Sequence, residues 1–202
     1  MRVLLDDKPI EVDPVTVARA IEVARDAAVA EGRIVIDVLG DGRSVDPSVL
    51  DNPPDDSAGF TELKLVTADP RVFVSVTLSD AAGLLDEAAR AQQRAVDGIF
   101  AGRDDEAMEP LQEAFRAWGV IRDVVDKSAV LLGLDLRMIE TGHGPGEAVI
   151  TGLAGRLGEI KRALTEGDTS ALTDVLAYDM PDQIERWRGL LGAMERAASG
   201  QG

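Results

Sequence analysis

The sequence predicts an α+β chain: a strand-containing part over residues 1–68, then an all-α part over residues 69–197 folded as a four-helix antiparallel bundle. Three observations carry this. Up to residue 68, short β-branched runs alternate with Asp-Pro and Asp-Gly punctuation, as strands and tight turns require. Beyond it, apolar residues recur every three or four positions over long stretches, the signature of amphipathic helices. Apolar residues make up 45% of the chain and aromatics only 3%, so Leu, Val, Ile and Ala must fill a substantial core.

Val3, Leu4 and Leu5 form the first strand, residues 6–9 ("DDKP") a turn, and residues 10–12 ("IEV") a second strand. Asp13 then suits an N-cap and Pro14 a first helical position, where its missing N–H costs nothing. Val17, Ile21, Ala24 and Ala28 follow at helical spacing, and Gly32 ends the helix. "RIVIDVL" is the strongest strand by β-branched content, and "GDGR" after it favours a tight hairpin into a short strand. "VDPSVLDN" repeats the Asp-Pro helix start over about one turn. "PPDDSAG" is a loop, and "FTELKLVT", with Phe60, Leu63 and Leu65, is the last strand.

This order of elements over residues 1–67 resembles the ubiquitin-like β-grasp family, in which a mixed sheet curls around one helix. The resemblance implies a scaffold that presents a sheet face to partners. It does not carry over conjugation or sulfur-carrier chemistry, because no Gly-Gly end follows the last strand and the chain runs on into more protein.

Four helices are expected in the second part, at about 70–101, 105–140, 146–166 and 169–197, with residues 198–202 a frayed tail. Asp69-Pro70 caps the first, whose face is Phe73, Val76, Leu84, Ala88, Ala91, Ala95 and Ile99; its run "VFVSVTL" also fits a strand. Leu111, Phe115, Trp118, Ile121, Val125, Leu132 and Leu136 form the stripe of the second, with Pro110 in its first turns. Leu153, Leu157, Ile160 and Leu164 point inward from the third. Pro181 should kink or break the fourth near Asp179 and Met180. Gly102 to Trp118 and Gly167 to Trp187 form a loose internal echo, each a glycine turn, an acidic-apolar helix, a proline and a tryptophan.

The formal charge of −16 disfavours nucleic acid and anionic membranes as partners. With no cysteine, disulfides, thiol catalysis and cysteine-ligated zinc are excluded. No signal peptide or spanning apolar run is present, so a cytoplasmic location is expected.

"ETGHGPGEAVITG", residues 140–152, concentrates four glycines and the only histidine. It lacks the lysine of a P-loop and the third glycine of a dinucleotide fingerprint. Glu140 and His143 have the Glu-x-x-His spacing of di-iron bundles, but that site needs a second histidine. The segment is expected to join helices, with no cofactor or metal held. The acidic pairs Asp6-Asp7, Asp55-Asp56 and Asp104-Asp105 fall at turns without a calcium-loop pattern.

Trp118, Tyr178, Met180, Ile184 and Trp187 admit two readings: core filling, or anchors for a protein partner, for which residues 176–187, where Pro181 can splay the helix, are the preferred place; Phe115 admits the same two. The expectation is a non-catalytic protein–protein interaction module, an adaptor or chaperone-like binder with a possible homodimer. The alternatives are an enzyme with an acidic metal- or small-molecule-binding site, and a self-associating structural protein.

Overall fold

The structure, a computed structural model, describes residues 1–200 and is a mixed α+β chain, with a small five-stranded sheet followed by a mostly helical region. It divides into two units, Met1–Phe73 and Val74–Gly202.

In the first unit, strands β1 (Arg2–Leu5), β2 (Lys8–Pro9), β3 (Ile34–Gly40), β4 (Arg43–Ser44) and β5 (Glu62–Ala68) form one sheet in the order β2-β1-β5-β3-β4. β1 pairs parallel with β5, and the other neighbours are antiparallel. The second strand is two residues long and precedes the expected residues 10–12. Asp6 and Asp7 take positive φ and make the reversal tighter, and only the Ile10 N–H continues the pairing, to Val3 O. Pro9 has no N–H to donate, and the edge of the sheet is where that is tolerated.

Helix α1 (Val17–Ala30) starts later than Asp13-Pro14 suggested. Thr16 is its N-cap, accepting from the Arg19 N–H at 3.1 Å. Val17, Ala20 and Ala24 pack with Val3, Val38, Leu63 and Leu65 in one core cluster. The Asp41-Gly42 turn has positive φ at both residues, as a two-residue hairpin loop demands, and leads β3 into β4. Asp41 also accepts from the N–H groups of Thr61 and Glu62, tying this turn to the start of β5. Asp46 caps the short α2 (Pro47–Asp51) through Ser48.

The second region contains α3 (Pro70–Phe100), α4 (Asp104–Leu132), α5 (Gly146–Glu166), α6 (Thr169–Asp174) and α7 (Met180–Ala198). The "VFVSVTL" run lies within α3 and is helical. Its inward face is Val74, Leu78, Ala81, Leu85, Ala88, Ala91 and Ala95, whereas Phe73 and Val76 are exposed. α4 stops eight residues before the expected end. Gly133 takes φ +63°, and the Leu134 N–H returns to Ala129 O, closing the helix with a left-handed cap. α5 has the expected bounds, ended by Gly167 at φ +69°.

The break expected at Pro181 is a π-helical turn, Val175–Asp179, between α6 and α7. The Met180 N–H reaches Val175 O, and the widened turn meets Pro181, which has no N–H for a regular ladder. At the C-terminal end, Ala198 is fully buried at the end of α7, so the expected tail begins later; residues 201–202 lie outside the described residues.

Trp118 and Trp187 meet edge-to-face in the core of this region, with ring centroids 5.5 Å apart and planes at 77°. Trp118 Nε1 donates to Gln92 Oε1 at 2.6 Å, a buried and satisfied pair. Trp187 Nε1 and Gln183 Oε1, also buried, have no partner among the described residues.

Candidate functional site

Four of the five candidate anchors lie in the interior. Trp118, Met180, Ile184 and Trp187 are buried in the helical core, so the core-filling reading describes them and the surface-anchor reading does not. Their positions follow from helical phase: Met180, Ile184, Trp187 and Leu191 recur at four- and three-residue steps along α7. Only Tyr178 is exposed, at 74%, on the π-helical turn.

Residues 133–145 form a compact connection. Glu140 bridges to Pro145, and the Thr141 hydroxyl donates to Gly144 O at 2.8 Å. Gly142 and Gly144 take φ of +83° and +103°, which only glycine adopts without strain. The turn sits against α7 so closely that a Cβ on Gly189 would lie 2.7 Å from Thr141 O. His143 is exposed. Within this connection Asp135 grips Arg137; the guanidinium hydrogen bond, helped by the Arg137 N–H, holds its carboxyl at about 2.

The acidic pairs sit at turns or a helix start. Asp7 pairs with Lys64 at 2.6 Å, Asp56 accepts from the Ala58 N–H, and Asp104 and Asp105 open α4. Among the described residues, no group of three or more His, Cys, Asp or Glu is placed to hold a metal ion. Nor is any described helix long and apolar enough to cross a membrane.

A different feature gathers apolar and charged side chains. Three cavities follow the seam between α4 and α5. The central one, about 570 Å³, is lined by Phe115, Trp118, Gly119 and Arg122 from α4 and by Leu153, Leu157, Lys161, Leu164 and Thr165 from α5. To one side, a cavity of about 790 Å³ joins Asp126 and Val130 to Glu147, Ile150 and Thr151. To the other, about 120 Å³ joins Met108 and Leu111 to Ala163, Leu164 and Leu172. High numbers on α4 thus face low numbers on α5, so the helices run in opposite directions with an open seam between them. From Met108 to Val130 the seam covers about 33 Å at 1.5 Å per residue.

Local sequence explains the opening. Trp118 and Leu153 are buried and lie deepest, Phe115 and Leu157 are half-buried, and Leu164 is exposed. Gly119 brings no side chain, and a Cβ built there meets nothing within 4 Å. Arg122 and Lys161 are exposed, and neither joins an ion pair among the described residues. Both therefore keep their charge available at the middle of an apolar channel, in a chain of net charge −16. Trp118, a candidate anchor, contributes to this cavity from its floor, and Phe115, which admits either reading, lines it half-buried; helical spacing alone marks Leu157 and Leu164 as core. Their helical spacing was visible, but not that two neighbouring stripes leave a gap between them.

No protein-family model, curated protein or solved structure matches the chain.

Proposed function

We propose that the protein is a non-catalytic protein-binding module, an adaptor or chaperone-like binder, that docks a helical segment of another protein along the α4–α5 seam. The observation that carries this is the seam itself: a largely apolar central cleft of about 570 Å³ flanked by two further cavities along the same helix pair, with side chains repeating along it at helical intervals. A helix laid in such a groove buries one face and leaves the other in water. The two cations at its centre supply a charged contact without first having to leave another partner.

The finer architecture belongs to the same proposal. The sheet order, the parallel β1–β5 pair and the packing of α1 on the sheet support a β-grasp-like scaffold for the first unit. The opposed α4 and α5, with α3 and the interrupted α6–α7, support a four-helix antiparallel arrangement for the second. The acidic charge supports a module that avoids nucleic acid and anionic membranes.

The test is a photo-reactive amino acid in place of exposed Thr165, at the rim of the groove, in the full chain in its native cell. The expected result is a crosslink to a distinct protein, lost when Gly119→Leu fills the groove. Crosslinks only to a second copy, or only to a lipid or metabolite, would overturn the proposal. The first result would make this a homodimer face, and the second a small-molecule site.

A further inference from the structure

The charges along the seam are ordered, and the order specifies the docked helix more closely. Arg122 and Lys161 stand at the centre. Asp104 and Asp168 line the small cavity at one end, where the Asp168 carboxylate also accepts from the Ala171 N–H as the cap of α6. Asp126 and Glu147 line the cavity at the other, where Asp135 and Arg137 are already engaged with each other. The seam therefore reads acidic, basic, acidic. The flanking cavities set the antiparallel register. By interpolation, Arg122 and Lys161 lie about 10 Å apart along the groove, close to two turns of a bound helix.

We infer that the partner segment is an amphipathic helix with basic residues towards both ends and two carboxylates near its centre, about seven residues apart. This rests on the docking proposal above. The protein's net charge of −16 attracts the basic ends at a distance. Close in, the acidic ends of the seam reject a uniformly acidic helix, and the central cations reject a uniformly basic one. Register follows, because sliding the helix by two turns would place its carboxylates against Asp126 and Glu147 or against Asp104 and Asp168. A fatty-acid-like ligand would satisfy one central cation but would give the acidic ends no role.

The probe is a synthetic, fluorescently labelled 24-residue amphipathic peptide with Leu at helical spacing, Lys at both ends and Glu at two central positions seven apart. Its control carries Lys at the two central positions. Binding to the full-length protein is followed by anisotropy at 0.15 M and 0.5 M salt. The Glu peptide is expected to bind at least tenfold tighter than the control, with the preference shrinking at high salt. In Arg122→Ala/Lys161→Ala the preference should pass to the Lys peptide, and in Arg122→Glu/Lys161→Glu more strongly so; circular dichroism confirms that both variants stay folded. Equal affinity of the two peptides for the unaltered protein, or a preference that survives in the Glu variant, would overturn the inference. If neither peptide binds while the Thr165 crosslink to a protein persists, the charge order is wrong and the docking proposal stands. If the crosslink is also lost, both fall.

Discussion

Gly119 separates stability from binding. It lies in the middle of α4, where glycine costs a helix about 1 kcal/mol relative to alanine, because the unfolded chain gains freedom and no side chain packs. A substitution normally recovers this only if the new Cβ has room, and at Gly119 nothing lies within 4 Å of it. Gly119→Ala should therefore stabilise the protein by about 1 kcal/mol. Gly119→Leu should gain nearly as much, since Leu ranks close to Ala as a helix former, and its side chain would project beside Phe115 and Arg122 into the channel. At this chain length that is a rise in melting temperature of about 2–4 °C, measurable by circular dichroism at 222 nm or as a urea-midpoint shift. The Leu variant should bind its partner at least tenfold more weakly while unfolding later. A drop in stability would mean that the space at Gly119 is filled, and undiminished binding by a stabilised Leu variant would remove the seam as the docking place.

Three further outcomes follow from the same packing. Gln92→Met should cost about 1–3 kcal/mol, because it strands the buried Trp118 N–H, whereas Gln183→Met, which removes an oxygen without a protein partner, should cost much less; urea denaturation of the two variants compares them directly. Gly189→Ala should destabilise by about 1–3 kcal/mol, since its Cβ would press on the Thr141 carbonyl, while His143→Ala should leave both stability and binding unchanged. Asp135, held at about 2 against an ordinary 3.8, contributes stability that is fully present above its unfolded value and is lost as pH falls from about 4 towards 2; the gap in urea midpoint between the protein and Asp135→Asn should therefore close over that window.

Local signals in the sequence located what local physics decides. Asp46 and Asp69 mark helix starts through side-chain acceptance of backbone N–H groups two residues on, and Asp41-Gly42 marks a hairpin through positive φ. α5 was legible from end to end because Gly167 and the Gly-Pro-Gly before it punctuate it on both sides. The end of α4 was not, because Leu132 and Leu136 continue the apolar period across Gly133 even though the backbone turns left-handed there. The face of α3 is legible from Ala88 through Ala91 to Ala95, but not at its start, where Phe73 and Val76 are exposed and Val74 and Leu78 point inward, because the apolar run there gives little contrast between sides. The seam was the least legible feature. Phe115, Leu157 and Leu164 have the spacing of core residues, and their partial exposure depends on the distance between two helices, which no single helical pattern encodes.

The edge-to-face tryptophan pair also determines what light can report about this protein. Both tryptophans of the chain belong to the helical unit, and none lies in the sheet. Intrinsic fluorescence excited at 295 nm is therefore a spectroscopic window on one unit only, while far-ultraviolet dichroism sees both. Transitions that coincide in the two signals mark a chain that melts as a single cooperative whole, and transitions that separate assign each step to its unit without any label. Because Trp118 also floors the seam, the same emission doubles as a built-in gauge of whether the groove is filled.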